Sequence, residues 1–390
     1  MTWNLWGTPN SLYTGKVRSY LIKQGIPFAN RAAAEGHFRE AIIPKVGRWI
    51  VPVLEGADST IVQDGADIIR HFEAAGATRH PAFPATPRHA VIGQIFELFG
   101  GEGLLRPAMH YRWNFDATNR AFIEADFVRS LAPSDADEAT KAGIFAMAST
   151  RMRAAMAGFG VMAETIPTVE AAYAEFLALF DAHLAGSPYL LGGAPTIGDY
   201  GLIAPLYAHL ARDPEPARLM QTTAHRAWRW TERMNRADHD AGEYGAPAAA
   251  LFADDHVPDT LKALLRFIAE DYLPEVRAYV GFINEWLAAR PELEAGTSGL
   301  ERPSERRMGD VSFTWRGHSI TAMVMPYRLY LLQMIHDVFD GADTAGQAAI
   351  AALLEETGLA DLLTLRTARR IERRDHLEVW GPPGASSAIS

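Results

Sequence analysis

The sequence predicts three successive segments: an α/β domain, an all-helical domain, and an α+β extension that carries a β-hairpin. We place them at residues 1–78, 88–236 and 250–390. In the first segment, short apolar strands alternate with helical stretches. In the second, apolar residues recur at helical spacing. In the third, the spacing changes to strict alternation between Val311 and Val324, which is typical of strands.

The overall composition limits the class of protein. At 390 residues the chain is too long for one compact core and predicts two or three domains. A formal net charge of -10 argues against binding to nucleic acid or to an anionic membrane surface. No apolar run approaches the roughly 18–20 residues of a membrane span, and the first residues lack the basic start of a signal peptide. We therefore expect a cytoplasmic protein.

The residue types that usually hold metals or form disulfides are scarce or wrongly spaced. The chain contains no cysteine, which excludes disulfides, thiolate metal sites and a cysteine nucleophile. Its histidines show no paired ligand spacing such as H-E-x-x-H. The sequence therefore predicts no metal site.

The elements predicted for the α/β domain follow the order β-α-β-α-β-β-α. Those with clear signals are strands at Trp3–Trp6, near Phe28, at Val51–Leu54 and at Ile61–Gln63, and helices at Lys16–Gly25 and from Asp64 through Phe72. A turn-rich loop, residues 7–15, precedes the first helix.

Pro52 has two interpretations. Proline cannot donate to a sheet ladder, so it fits the edge or the start of a strand and need have no further role. It is also the residue for which a cis peptide bond costs least. A cis Val51–Pro52 bond would turn the N–H and C=O groups of Val51 outward, where an extended peptide-like ligand could pair with them.

In the helical domain, Thr196 and Asp199 have the spacing of an N-cap and a helix-opening acid, directly before an apolar run. In the extension, the spacing predicts one long helix at 258–287 and a β-hairpin at 311–325. Residues 370–380 are a candidate third strand beside that hairpin.

Four motifs, in this order, resemble segments of the glutathione S-transferase superfamily. They are Pro9–Arg18, Val51–Leu54, Asp64–Phe72 and Thr196–Leu202. The resemblance implies a thioredoxin-like first domain and an all-α helical bundle of glutathione transferase type as the second. It covers roughly residues 1–236, so the extension is unfamiliar. Without cysteine, the chain resembles the serine-type, cytosolic-like members of the superfamily.

Ser11 matches the catalytic serine of the family. A hydroxyl just ahead of a helix can donate to a bound thiolate, and the positive end of the helix favours the same charge. A plain N-cap serine is the alternative. Tyr13 is a rival for the catalytic role, since its phenol could do the same work or simply pack. Asn10 could add a side-chain amide to the site.

Asp64 and Gly65 stand where the family keeps an acid or amide followed by serine. By resemblance, the acid pairs with the γ-glutamyl amine of glutathione and the serine with its carboxylate. Gly65 lacks the hydroxyl, but its N–H at a helix start can still meet an anion. The alternative is that Asp64 only caps the helix.

Ahead of Pro52, Arg39 and Arg48 belong to a basic, aromatic patch that could meet the glycyl carboxylate; either residue could equally be solvated surface. In the helical domain, His110, Tyr111 and Trp113 lie on the helix that faces the second-substrate pocket in this family. Mixed aromatic and polar groups suit a flat apolar electrophile. A buried, hydrogen-bonded histidine is the plainer interpretation of His110.

The resemblance implies a transferase that uses glutathione as co-substrate and attacks a small apolar electrophile. Conjugation, reductive dehalogenation, ether cleavage and isomerisation share this first step. Detoxification and a homodimer are further expectations. The alternative is a non-catalytic binding or scaffold protein that kept the fold and lost the ligand.

Overall fold

The computed structural model describes residues 2–76, 78–245 and 248–384. The N-terminal domain has one four-stranded sheet in the order β2-β1-β3-β4, in which β1 is parallel to β2 and antiparallel to β3. The strands are β1 (Trp3–Gly7), β2 (Phe28–Ala32), β3 (Val53–Glu55) and β4 (Ile61–Gln63), and the helices are α1 (Leu12–Gln24), α2 (Ile43–Val46) and α3 (Gly65–Ala74). The predicted order of strands and helices is confirmed.

Local signals set the ends of α1. Ser11 is its N-cap, in extended conformation, and the Ser11 hydroxyl oxygen accepts from the Thr14 N–H. Gly25 ends the helix with φ 66°, a left-handed conformation that glycine adopts without steric cost. The helix is buried on most sides because it lies between the sheet and the helical domain. The N-terminus of α1 is therefore held in a fixed place beside β3.

The Val51–Pro52 peptide bond is cis, and β3 begins directly after it at Val53. The Pro52 carbonyl accepts from the Asp64 N–H at 3.4 Å. That bond joins the start of β3 to the start of α3, so Val51 and Asp64 lie on the same edge of the domain.

The second segment is helical, as predicted. Its helices are α4 (Pro87–Leu98), α5 (Leu105–Trp113), α6 (Asp116–Leu131), α7 (Glu138–Ala154), α8 (Ile166–His183), α9 (Ile197–Ala208), α10 (Pro214–Thr223) and α11 (His225–Met234). The predicted start of α9 is confirmed, because Thr196 and Asp199 form a reciprocal capping box.

A wide helical turn, Phe99–Gly103, joins α4 to α5. It closes with an i→i+5 hydrogen bond from the Leu104 N–H to the Phe99 carbonyl. Gly100 packs directly on the backbone of α9, where a Cβ would lie only 2.4 Å from the Gly201 carbonyl carbon. This close approach leaves no room for a side chain at residue 100.

The extension contains α12 (Asp259–Asp271), α13 (Leu273–Ala288), β5 (Gly309–Trp315), β6 (His318–Val324), α14 (Pro326–Gly341), α15 (Thr344–Thr357), β7 (Ile371–Arg374) and β8 (Leu377–Trp380). Strands β5 and β6 form the predicted hairpin. Residues 385–390 lie outside the described part of the chain.

Two expectations for the extension were wrong. The single helix expected at 258–287 is two helices, because α12 ends at Asp271 and Pro274 occupies the first turn of α13, where its missing N–H is tolerated. Residues 370–380 do not join the β5–β6 sheet. Asp375 and His376 both have positive φ, the geometry of a two-residue hairpin turn, and they fold β7 back on β8.

All three segments share one apolar core. Leu54 of the sheet, Phe96 of α4, Leu264 of α12 and Leu332 of α14 belong to the same buried cluster. The extension therefore packs against both preceding segments. No helix in the described ranges is long and apolar enough to cross a membrane.

Candidate functional site

Most of the residues predicted to bind the ligand belong to the N-terminal domain. We use the name groove for the edge formed by Ser11, Arg48, Val51–Pro52 and Asp64–Gly65, with Gln63 beside them. Ser11 is half-buried at the start of α1. Its oxygen accepts from Thr14 at 3.3 Å, and within the described ranges its hydroxyl hydrogen has no acceptor. That hydrogen is free to point at a ligand atom.

Tyr13 is engaged elsewhere. Its hydroxyl donates to Glu102 Oε1 at 2.6 Å, and the wide turn between α4 and α5 positions that carboxylate. Burial and the charge of Glu102 raise the pKa of the Tyr13 phenol well above its usual value. Tyr13 therefore stays protonated with its only O–H already donated, which favours Ser11 over Tyr13 as the thiolate partner.

The backbone groups of Asn10 and Val51 differ in whether they already have partners, and the role predicted for the Asn10 side-chain amide stays a prediction. The Asn10 carbonyl accepts from Arg112 Nη1 at 3.2 Å, and His209 Nε2 lies 3.2 Å away from the same oxygen, so the helical domain holds the loop ahead of α1 in place. Among the described residues, no hydrogen bond reaches the N–H or C=O of Val51. These two groups remain available to an extended ligand.

Asp64 is both a helix cap and a partner of the extension. Its Oδ1 accepts from the Ala66 N–H at 2.8 Å and the Asp67 N–H at 3.4 Å. The Tyr327 hydroxyl of α14 donates to the same oxygen at 3.1 Å. The capping interpretation of Asp64 thus has a geometric basis, and its role toward a ligand amine stays a prediction.

Packing explains the glycine at residue 65. A Cβ there would lie 3.2 Å from Lys16 Cδ. Lys16 is buried in an ion pair with Glu97 of α4 and has little freedom to move aside. A serine at 65 would press on this pair, which links the first two segments.

Arg48 already holds a carboxylate. Its Nη1 lies 2.9 Å from Glu378 Oε2, and its Nη2 lies 3.2 Å from Glu378 Oε1 and donates to the His376 carbonyl at 3.1 Å. Both partners belong to the β7–β8 hairpin of the extension. Arg39, by contrast, is exposed, and its predicted role in carboxylate binding stays a prediction.

Three arginines surround Glu378. Besides Arg48, Arg373 Nη1 lies 2.8 Å and Arg306 Nη2 lies 3.2 Å from its Oε1. The Glu378 side chain is only 3 % exposed. Burial by itself raises the pKa of Glu378, but Arg306, Arg48 and Arg373 together lower it to about 2. Glu378 is therefore a buried, ionised carboxylate.

Other residues of the extension complete a cover over the groove. Arg373 donates to the Gln63 carbonyl at 3.4 Å and lies 3.1 Å from Asp67 Oδ2, while Tyr330 donates to Asp67 Oδ1 at 2.8 Å. We use the name cover for Tyr327, Tyr330 and the β7–β8 hairpin, which contact the groove and the start of α3, together with Arg306, which contacts Glu378 of that hairpin. Sequence reasoning missed all of them, because their contacts with the first domain join residues 263 to 330 positions apart.

The residues predicted for the second-substrate pocket are packed in the helical domain. His110 Nε2 lies 2.9 Å from Glu170 Oε1, and burial lowers the pKa of His110 against the opposing effect of Glu170. Tyr111 stacks on Phe115, and Trp113 meets a phenyl ring of α6 edge-on. All three are at least 94 % buried. Their role toward a substrate stays a prediction.

A cavity of about 310 Å³ lies against the loop that carries Ser11. Three arginines, Arg18, Arg31 and Arg129, belong to its lining. The lining comprises Gly7, Thr8, Pro9, Thr14, Arg18, Asn30, Arg31, Ala32, Arg129 and Ser130. No group of three or more His, Asp or Glu side chains suited to a metal ion occurs in the described part of the chain.

Comparison with known families agrees with the fold of the first two segments. Residues 5–80 match the family model described as the N-terminal domain of glutathione S-transferase, and residues 150–234 match the one described as its C-terminal domain. The first two segments of the chain therefore carry matches to both domains of the glutathione S-transferase superfamily. Neither match reaches the extension. No curated protein matches the chain.

Several solved structures are similar at low identity. A glutathione S-transferase from Xanthobacter autotrophicus Py2 is 22 % identical, with 59 % of this chain and 91 % of that chain covered and a TM-score of 0.33. One from Methylobacterium radiotolerans JCM 2831, in complex with glutathione sulfonate, is 17 % identical, with 66 % and 100 % covered and a TM-score of 0.37. A beta-etherase from Sphingobium sp. strain SYK-6 is 16 % identical, with 63 % and 98 % covered and a TM-score of 0.42.

Proposed function

We propose that this protein is a glutathione-dependent transferase in which the Ser11 hydroxyl donates to the glutathione sulfur. One observation carries the proposal: the Ser11 hydroxyl hydrogen has no acceptor among the described residues, and it lies at the N-terminus of α1. A hydrogen bond to the sulfur and the positive end of a 13-residue helix both favour the thiolate over the thiol.

The remaining groups of the groove would bind and orient the tripeptide. Val51 offers an N–H and a C=O to the cysteinyl backbone, and Asp64 offers a carboxylate to the γ-glutamyl amine. The Gly65 N–H, in the first turn of α3, meets the neighbouring carboxylate. Arg48 is the partner proposed for the glycyl carboxylate.

In the chemical step, the sulfur lone pair forms a bond to an electrophilic carbon, and the leaving group departs with the electron pair of the broken bond. The thiol proton goes to solvent when the thiolate forms. Holding the thiolate next to the electrophile supplies much of the rate enhancement. Conjugation by substitution, dehalogenation and ether cleavage begin this way. In isomerisation the sulfur adds to a carbon–carbon double bond, whose π electron pair moves onto the rest of the substrate, and the thiolate itself leaves again after the bond has rotated. An apolar electrophile is the proposed second substrate.

A non-catalytic binding or scaffold protein is the second candidate function. The observation in its favour is that polar groups of the groove already have partners: Arg48 holds Glu378, and Asp64 holds the Tyr327 hydroxyl. Gly65 also lacks the hydroxyl that the family places there. In this alternative the extension has replaced glutathione permanently.

Calorimetric titration with glutathione separates the two candidates, and the ultraviolet absorbance of the bound thiolate against pH tests Ser11. We expect wild-type protein to bind glutathione and to lower its thiol pKa. Ser11→Ala should retain binding but lose about 10²–10³-fold in turnover of an activated aryl chloride, the usual effect of removing one donor to a developing or bound anion.

Ser11→Thr is the matched control, because threonine retains both the hydroxyl and the helix cap. It should keep most of the activity. Absence of glutathione binding in the wild type would favour the scaffold, and full activity in Ser11→Ala would exclude the role proposed for Ser11.

We also propose a cytoplasmic homodimer with a role in detoxification, on the basis of the superfamily alone. Light scattering of the full chain measures the mass directly, and a mass of one chain would exclude the dimer.

A further inference from the structure

The arginine cluster beside the groove has more donors than its single carboxylate can use. Arg48, Arg306 and Arg373 surround Glu378, and the Nε–H groups of Arg48 and Arg306 are buried without a hydrogen-bond acceptor in the described ranges. The Arg373 Nε lies 3.1 Å from Asp67 Oδ2. The Arg48 side chain is only 8 % exposed. A carboxylate has about four acceptor positions, whereas each guanidinium has five N–H donors. The cluster is thus incompletely satisfied, although Asp67 offsets part of the charge of Arg373.

We infer that Arg48, together with Arg306 of the extension, forms the carboxylate subsite of the groove, that Glu378 fills this subsite in the free protein, and that a carboxylate of the ligand binds there by displacing Glu378 and the hairpin tip that carries it. The inference deepens the proposed function and rests on it, with the glycyl carboxylate of glutathione as the displacing group.

Exchange of one carboxylate for another suits a buried arginine cluster. Leaving buried guanidinium groups without a counter-ion costs several kcal/mol, so an empty subsite is strongly disfavoured. A ligand carboxylate that replaces Glu378 leaves the number of charges in the subsite unchanged. The arginines are also already desolvated and oriented, which reduces the free-energy cost of ordering and desolvating them when the ligand binds.

The hairpin that carries Glu378 has an anchored base and an exposed tip. At the base, the Trp380 N–H donates to the Thr297 carbonyl at 2.9 Å, and the Gly296 N–H donates to the Trp380 carbonyl at 2.8 Å. At the tip, Arg374 and Asp375 are exposed. Each strand has four residues, and a two-stranded hairpin has little stability of its own. The tip can therefore move away from Arg48 while the base stays in the core.

Calorimetric titration of the full-length protein with glutathione tests the exchange. Glu378→Gln keeps the side-chain shape but removes the competing charge, so it should bind glutathione about tenfold or more tightly than wild type. Arg306→Met should bind about tenfold more weakly, because it removes a donor from the subsite. Glu372→Gln, on the same hairpin with a half-exposed side chain, is the matched control and should bind like wild type.

The ligand can be varied in the same way. Glutathione with its glycyl carboxylate converted to an ethyl ester should gain little from Glu378→Gln, because it cannot displace Glu378 with a charge. Should Glu378→Gln fail to fold, hydrogen exchange of the wild type replaces it: saturation with glutathione should reduce amide protection at residues 374–378 and leave Trp380 protected.

The outcomes separate this inference from the proposed function. Tighter binding of glutathione by Glu378→Gln than by wild type supports both the carboxylate exchange and the proposed function. Equal binding by the two proteins, or unchanged protection of the hairpin in the saturated wild type, overturns the exchange and leaves the proposed function standing. Absence of binding in both proteins overturns the proposed function and the exchange with it.

Discussion

Asp64 has a backbone conformation that is rare for residues other than glycine, with φ 95° and ψ 143°. Asp64 adopts this unfavourable conformation while its carboxylate caps α3 and accepts a hydrogen bond from the Tyr327 hydroxyl. Such outliers persist when the surrounding structure determines them, and they concentrate at functional sites. At the scale of the single residue, Asp64 is where sheet, helix and extension meet.

Two substitutions of Asp64 separate two contributions to the free energy of unfolding: the stabilisation by the helix cap and the cost of the strained backbone. Asp64→Ala removes the carboxylate and keeps the strain, so it should lower the free energy of unfolding by about 1–3 kcal/mol. Asp64→Gly removes the same carboxylate but relieves the strain, and should be the more stable of the two variants in urea denaturation.

Asp137 provides the comparison, because it caps α7 at an ordinary φ of -71°. The difference between glycine and alanine variants should be larger at residue 64 than at 137. Equal differences at the two positions would mean that Asp64 carries no extra strain.

At the scale of the element, charged contacts join the β7–β8 hairpin to the groove. Glu378 faces three arginines, and Arg373 also reaches Gln63 and Asp67. Because burial alone would favour the neutral form of Glu378, its lowered pKa of about 2 measures how strongly the arginines favour the charged form. Acid should therefore weaken this element.

A lowered pKa in the folded state means that protonation favours unfolding. The stabilisation by Glu378 is complete above the pKa of the unfolded state, near 4.5, and is lost as the pH falls through about 2. Wild type should thus lose about 2–3 kcal/mol more than Glu378→Gln between pH 5 and pH 2. Urea denaturation at several pH values measures how the free energy of unfolding of each protein changes with pH.

Glu372→Gln is again the control. Its free energy of unfolding should change with pH as that of wild type does, since Glu372 has only a distant contact with Arg374. Parallel curves for wild type and Glu378→Gln would show that the arginines do not stabilise the charged form of Glu378.

At the scale of the whole molecule, a buried ionic network joins all three segments. Tyr13 donates to Glu102, Arg328 lies 2.8 Å from both Glu102 and Glu275, and Arg106 lies 2.7 Å from Glu275. These residues belong to α1, the helical domain, α13 and α14. The extension therefore contacts the N-terminal domain both through this network and through the cover. For this reason we expect the chain to unfold as one cooperative unit.

Arg328→Met tests this coupling. It leaves Glu102 and Glu275 buried without their shared counter-ion, which should cost about 3–5 kcal/mol. Unfolding followed by far-ultraviolet and near-ultraviolet circular dichroism should remain a single, coincident transition at lower urea concentration.

Arg302→Met removes an arginine whose side chain is 77 % exposed, and it should leave the unfolding midpoint unchanged. Two separate transitions in the wild type would contradict the single cooperative unit, and an unchanged midpoint in Arg328→Met would contradict the network.

The sequence by itself determined the features that depend on neighbours in the chain. The order of strands and helices in the first segment, the capping box of Thr196 and Asp199, and the β5–β6 hairpin follow from periodicity, caps and turn residues within a few positions. Ser11, Pro52 and Asp64 could be placed together because short elements of known order bring them to one edge.

Only the tertiary structure decided what these groups contact. Arg48 meets Glu378 at a separation of 330 residues, Asp64 meets Tyr327 at 263, and Tyr13 meets Glu102 at 89. An arginine or a tyrosine can pair with any carboxylate that the fold brings near it, so no local pattern identifies the partner. The cover over the groove is a result of long-range packing, and for that reason no spacing in the sequence predicts it.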